Sequence, residues 1–444
     1  MARAGSKAFW QAVAVFLISH LIFLAGISSP SKLYGDEVHY IPAARHIIAR
    51  DQILIREHPP LAKTLMATSI VAWGDNPLGW RYMSALFGSL ALTGMYVWAL
   101  YLFRNASAAL WAVAITFVNQ FLYVQSRIAT LDVFVVAFTI WAMALFTATW
   151  NSSRVKGTFM TIGVMLGLAI ASKWTGLIAL MMIAGTVTIA KVLQNWRTVF
   201  ENPNETDWYR LDLWGNMRIS DWIVSLLIIP LVVYCITFVP VYGADPVALI
   251  LLQKEMWDSL WRATTPHPYM SSWVNWALLR RPILYLFDQD LENGNSLRVV
   301  MFLGNPVVLW SGVIALFACI YDWLKTRRRD AFVISMSWVA FYFTWALVRR
   351  PVSFCYYYFP AGMVLSLSLT YVFYRTGMVR AAWTRYIFLC LAIGAFIIFC
   401  LLALRSWGLP MQDTLGECGL GLGRWPEVDR CCWPQDRLKG ARRN

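Results

Sequence analysis

The sequence predicts an all-α protein that crosses a membrane many times, and three observations carry that reading. Hydrophobic residues fill 59% of the 444 positions. Charged residues fill only 14%, against roughly 25% in a soluble globular chain. Several apolar runs reach about 18 residues or more, the length at which a helix spans a bilayer, and the short alternating segments of an outer-membrane barrel do not occur. The net charge of +14 does not point to nucleic acid, because the cations sit mainly in short loops between apolar runs, where the positive-inside rule places them.

About eleven spans follow in order, at 8–27, 80–103, 106–124, 131–150, 157–171, 174–194, 221–242, 298–321, 331–348, 353–374 and 382–405. The first has no small-residue cleavage site at its end and reads as an uncleaved span. With Arg3 and Lys7 inside, the cytoplasmic loops carry Arg104; Arg154 and Lys156; Lys191, Arg197, Arg210 and Arg218; Lys325, Arg327, Arg328 and Arg329; and Arg375, Arg380 and Arg385. Two long outer loops remain, 28–79 and 243–297, and an odd number of spans leaves the tail 406–444 outside. The three sequons, at Asn105, Asn151 and Asn204, fall on the inner side, where they are expected to stay unused. Cys235, Cys319, Cys355, Cys390 and Cys400 lie in apolar runs and read as small buried hydrophobes. Cys418, Cys431 and Cys432 lie in the tail and are free to pair if it faces an oxidising compartment.

The first outer loop concentrates the chemistry. Val38, Ile41, Ile47 and Ile48 form an apolar stripe interleaved with His39, Arg45, His46 and Arg50, which predicts a helix lying in the interface. Leu61 to Trp73 is too short to span and reads as a second interfacial or re-entrant helix, with Pro59-Pro60 fixing the turn before it. The pair Asp36-Glu37 is thus expected at the membrane surface, where ionisable groups are costly and usually functional. A hydrated pair in a loop is the plain alternative; a general base on a hydroxyl is the functional one.

Arg127, Lys173, Arg349 and Arg350 break the charge bias by standing at the outer face. Singly each reads as well as a snorkelling side chain. Together they suggest an anionic ligand such as a phosphate. In the second outer loop, His267-Pro268-Tyr269 and the tryptophans at 273 and 276 fit either the rim of a sugar site or an interfacial aromatic belt. Asp288-Gln289-Asp290 matches an Asp-x-Asp metal motif but faces away from the cytoplasm, where nucleotide sugars are made. Gly419 to Gly423 lacks dinucleotide spacing, and no Walker or His-Glu-x-x-His motif occurs, so ATP-driven transport and zinc proteolysis have no support.

Asp36-Glu37-Val38-His39-Tyr40, His58-Pro59-Pro60-Leu61-Ala62-Lys63, Arg127 to Asp132, Ser172-Lys173-Trp174-Thr175-Gly176, His267-Pro268-Tyr269, Arg281-Pro282-Ile283 and Gly304-Asn305-Pro306 occur in one order. That series resembles the protein O-mannosyltransferases, membrane enzymes of the GT-C superfamily, in a bacterial form: the second outer loop of about 55 residues is too short for the β-trefoil of eukaryotic members.

The resemblance implies a GT-C transmembrane catalytic domain over 1–405 in a bacterial plasma membrane, with its active site on the periplasmic or exterior side. It implies a polyprenyl-phosphate-mannose donor, a secreted or membrane protein as acceptor, lipid contact, and no nucleic acid, metal or cofactor. It makes Asp36 the base with Glu37 beside it, and Arg127 and Lys173 phosphate-side groups; the charge bias adds Arg349 and Arg350 to the phosphate-binding candidates. His39, His58, Asp132, Trp174, His267 and Tyr269 become substrate-binding candidates. Two other readings compete: transfer of a different lipid-linked sugar, such as aminoarabinose, to lipid A, and a secondary transporter using Asp36 as a proton site. A transporter more often places its charges in broken spans near the midplane.

The charge bias generates a topological test. A phosphatase fused after Trp407 should be active on the outer side; activity of a cytoplasm-only reporter at that position would break the eleven-span arrangement.

Overall fold

In lipid a lone segment satisfies its backbone only as a helix, and each of the eleven apolar stretches holds one. The structure is a computed structural model that describes residues 2–404 apart from 52–55, 152–153, 201–213, 215–216, 263–266, 291–295, 349 and 376–381. The tail 406–444, the sequon at Asn204, Arg349, Cys418, Cys431 and Cys432 therefore lie outside the described residues. In chain order come α1 (Ala2–Leu24), α2 (Glu37–Ala49), α3 (Leu61–Trp73), α4 (Pro77–Phe103), α5 (Ala106–Val118), α6 (Phe121–Gln125), α7 (Asp132–Ala148), α8 (Val155–Ser172) and α9 (Leu177–Phe200). Then follow α10 (Ile219–Ile223), α11 (Ile229–Tyr242), α12 (Pro246–Arg262), α13 (Trp273–Ala277), the strands β1 (Ile283–Asp290) and β2 (Ser296–Phe302), and α14 (Pro306–Thr326), α15 (Arg329–Leu347), α16 (Phe359–Tyr374) and α17 (Ala382–Leu404).

Among the described residues, seven helical stretches are long and apolar enough to cross a membrane: those of α1, α4, α8, α9, α10 with α11, α14 and α15. The other expected spans correspond to α5, α7, α16 and α17. The outer-loop helices α2 and α3 are present, packed on each other, with α3 also packed on α4. Asn76 caps α4 by accepting from the Leu78 and Gly79 N–H groups, and Pro77 takes the first helical position.

Two local expectations change. The stretch 298–321 is not one helix. Ser296–Phe302 is a strand paired antiparallel with Ile283–Asp290, and helix begins only at Pro306 behind its Asn305 cap. A short apolar run fits a strand or a helix equally well by pattern, and here the cross-strand partner decides. The stretch 106–124 is broken at Asn119-Gln120, where Gln120 has φ +76°. Asn119 donates to the Gly362 carbonyl at 2.9 Å, and Asn305 donates to the Val118 and Ala392 carbonyls at 2.9 and 2.8 Å. These amides take over contacts the helix ladder has given up. Cys319 and Cys355 are buried as expected, whereas Cys235 and Cys390 are exposed.

What fixes the outer loop is one buried ion pair. Arg81, near the start of α4, donates to both carboxylate oxygens of Glu37 at 2.7 and 2.9 Å, and both side chains are fully buried. The same guanidinium donates to the carbonyls of Ile27, Pro30 and Lys32. Glu37 also accepts from the Ala129 N–H at 3.0 Å. Three chain segments are joined at one charged knot.

Glu37→Gln strands the Arg81 charge inside the protein. Breaking a buried pair from one side typically costs about 3–5 kcal/mol. The variant should melt well below the parent in detergent; an unchanged melting temperature would show that the loop is held by other contacts.

Candidate active site

The residues that converge come from six places in the chain. Asp36 stands immediately before α2, and its side chain does not cap that helix. The backbone ahead of it needs glycine: Gly35 has φ +54°, and a Cβ there would meet the Tyr285 ring at 2.7 Å. Tyr285 lies at the irregularity of the β hairpin, between Leu284 and Leu286. Gln125, at the end of α6, donates to its hydroxyl at 3.1 Å. Asp132 opens α7, where the helix dipole favours a carboxylate. Lys173 is an extended residue in the break between α8 and α9, and Tyr356 and Tyr357 lie just before α16.

Lys173 donates to both oxygens of Asp132, at 2.8 and 3.0 Å, with both side chains nearly buried. Its ammonium rests on the rings of Tyr356 and Tyr357, 4.6 and 5.1 Å from their centroids. Arg350 donates to the Tyr357 hydroxyl and stacks on that ring at 5.5 Å. Arg350 Nε is buried and has no hydrogen-bond acceptor among the described residues. A cleft runs beside this group, lined by Asp132, Thr175, Tyr356 and Tyr357 and by apolar Val135, Val136, Ile178, Phe341, Trp345 and Pro360. Trp276 of α13 packs on Trp345 and Tyr357, so the second outer loop backs this wall.

The two adjacent carboxylates of the first outer loop differ in every respect but chemistry. Glu37 is saturated by Arg81 and backbone N–H groups. The Asp36 carboxylate accepts no hydrogen bond among the described residues. Burial pushes its carboxyl up to about 6; the Lys173 charge opposes the shift and the Asp132 charge adds to it. Burial, with the charges of Asp36 and Asp132, also holds the Tyr40 and Tyr285 hydroxyls well above their ordinary range. His58 is held neutral, far below its usual value, by burial and then by Lys173, Lys63 and Arg350.

Lys173 thus links the group: it acts on Asp36, Asp132 and His58, and Arg350 also acts on His58. His39 is half-buried, and burial lowers its imidazole while the Glu57 charge opposes that. The other expected residues lie further out. Arg127 donates to the Ile22, Phe23 and Ala25 carbonyls at 3.3, 2.8 and 2.6 Å, capping the end of α1. Trp174 donates to the Tyr234 hydroxyl at 3.0 Å within a cluster with Phe238, Leu252 and Met256. His267 and Tyr269 pack together, and His267 meets Phe354, which stacks on Tyr356. Those two form a rim one ring away from the cluster. Pattern reading missed Arg81, Tyr285, Tyr356 and Tyr357. The run Tyr356-Tyr357-Tyr358 after Arg350-Pro351, and a glycine directly before Asp36, were the available signals.

A carboxyl raised on folding favours the folded state below its unfolded value near 4 and loses that contribution as pH rises through about 6. Asp36→Asn should therefore melt at or above the parent at pH 7.5, with the gap closing below about pH 4. A lower melting temperature at pH 7.5 would show that the ionised carboxylate stabilises the fold.

Comparison with known proteins agrees with this architecture. Residues 74–241 match the family model of dolichyl-phosphate-mannose-protein mannosyltransferase, and residues 247–419 match that of the C-terminal four-span region of protein O-mannosyltransferase. The chain is 24% identical over 422 residues to the polyprenol-phosphate-mannose–protein mannosyltransferase of Corynebacterium glutamicum, covering 78% of each chain. It is 22% identical to the protein of that name from Mycobacterium tuberculosis, covering 92% of this chain and 89% of the other. In structure it is similar to the protein O-mannosyltransferase Pmt1-Pmt2 complex of Saccharomyces cerevisiae bound to the sugar donor, with TM-score 0.73, 14% identity and 90% of each chain covered. ArnT from Cupriavidus metallidurans bound to undecaprenyl phosphate superimposes with TM-score 0.56 at 15% identity, over 88% of this chain and 70% of the other. The fold is that of the GT-C membrane glycosyltransferases, and the chain belongs to the protein O-mannosyltransferase family.

Proposed function

We propose that this protein is an inverting glycosyltransferase that moves mannose from a polyprenyl-phosphate-mannose donor to Ser or Thr hydroxyls of secreted or membrane proteins. The observation that carries the reading is an unpaired, desolvated carboxylate, Asp36, set beside a fixed cation, Lys173, in a chain of this family. The donor and acceptor classes are those in the names of the actinobacterial relatives.

The acceptor oxygen attacks the anomeric carbon from the face opposite the phosphate. Its proton passes to an Asp36 oxygen, the new carbon–oxygen bond forms, and the bond to the phosphate breaks with its electron pair leaving on the phosphate. That phosphate is a good leaving group, so cations suffice on its side. Lys173, already oriented by Asp132, and Arg350, with a buried N–H to offer, supply them. Arg127 supports the end of α1 instead of the donor. Glu37 does not take part as a base; through Arg81 it holds Asp36 in place. An Asp with an ordinary value near 4 is a weak base for an alcohol, and desolvation is what raises it. The site faces the periplasm or exterior of a bacterial plasma membrane, the side on which Arg127, Lys173 and Arg350 break the positive-inside bias.

Purified protein in detergent or nanodiscs, given radiolabelled polyprenyl-phosphate mannose and a pool of Ser/Thr peptides, should label the peptides. The rate should climb with pH to a plateau through a midpoint near 6. Asp36→Asn should cut transfer about 10²–10⁴-fold while the donor KM is retained. Wild-type turnover in that variant would remove Asp36 from the chemistry, and label appearing on an added lipid acceptor alone would replace the protein acceptor.

A further inference from the structure

One carboxylate near the site has no part in the reaction above. Glu57 precedes His58-Pro59-Pro60 in the turn that opens α3; both prolines are buried, and the first restricts His58. Its Oε2 atom is shut off from solvent and accepts no hydrogen bond from any described residue. Its charge is felt by Tyr40, which also feels Asp36 and Asp132, and by His39 and Lys63. Lys63 itself is turned to the His58 carbonyl at 2.8 Å. Glu57 thus stands on the Tyr40 side of the Asp36 cluster.

A buried carboxylate oxygen with no donor costs more stability than a neutral group left unpaired. Such a cost is retained where a ligand brings the missing donor. Three groups come together in the proposed reaction. The phosphate is anionic and is repelled by Glu57. The acceptor residue brings one hydroxyl, which Asp36 must engage. The hexose brings several hydroxyls, each an O–H donor. We propose that Glu57 Oε2 accepts a hydrogen bond from a hydroxyl of the transferred hexose, making Glu57 a residue that selects the sugar. This rests on the transferase reading and adds to it a specific contact.

The test uses the full-length parent with Glu57→Gln and Glu57→Ala variants. The donors are polyprenyl-phosphate mannose and its 2-, 3-, 4- and 6-deoxy forms. Glu57→Ala should raise the donor KM about tenfold with the intact sugar, the worth of one such bond, and leave the acceptor KM in place. With one deoxy donor the difference between parent and variant should shrink to about twofold or less, because the hydroxyl that Glu57 meets is already gone. Glu57→Gln should melt no lower than the parent. An equal loss with every deoxy donor, a change confined to the acceptor KM, an unchanged donor KM, or a fall in the melting temperature of Glu57→Gln would each overturn the assignment. A parent that turns over normally beside unaffected variants sinks only this inference. A parent that does not use polyprenyl-phosphate mannose at all sinks the transferase reading and this inference with it.

Discussion

The arrangement depends on a guanidinium buried against a carboxylate. Arg81 carries a full charge into a place without water, and such a charge is tolerated only when its donors are used. It gives two to Glu37 and the rest to carbonyls at the exit of α1. Those carbonyls belong to a segment with no regular structure, Ile27 to Lys32, which has few backbone partners of its own. The pair therefore settles the path of the chain from the membrane to Asp36.

That arrangement separates two neighbouring carboxylates that composition cannot tell apart. One is surrounded by donors and works as a fixed anion. The next lacks donors and sits near a second carboxylate, Asp132, whose own charge is met by Lys173. A site with two acids and one lysine in low dielectric leaves one acid basic, and geometry chooses which. The tyrosines around them, Tyr40, Tyr285, Tyr356 and Tyr357, exclude water while offering hydroxyls. The rings of Tyr356 and Tyr357 also add their faces to the holding of Lys173.

Much of the fold was legible because lipid imposes one rule on every span, and the spans are long enough to read by hydropathy. Helix positions agree closely for runs such as 80–103 and 331–348. They fail at 298–321, where an apolar strand looks like the start of a helix, and at Asn119-Gln120, where two amides tolerate a break. The candidate site was legible in its polar outliers: Asp36, Glu37, Asp132, Lys173 and Arg350 stand out against an apolar chain. Their pairing was not legible. Nothing in the spacing says that Lys173 belongs to Asp132, that Arg81 belongs to Glu37, or that Arg127 ends up against the last turn of α1. Those facts depend on which helix ends meet, and partners 41 to 105 residues apart leave no periodic trace. Tyr285 was hidden for another reason, since its contact with Gly35 needs a hairpin that hydropathy does not report.

The knot at Glu37 also sets an order of assembly. Its members emerge from synthesis in sequence: Glu37 first, Arg81 with α4, and the Ala129 N–H only after α5 and α6. Until then the Glu37–Arg81 pair lacks its third chain segment. The complete knot is therefore a late product of biogenesis. A nascent chain halted before residue 129 carries both carboxylates and Arg81, yet it still lacks the Ala129 N–H that completes the donors on Glu37.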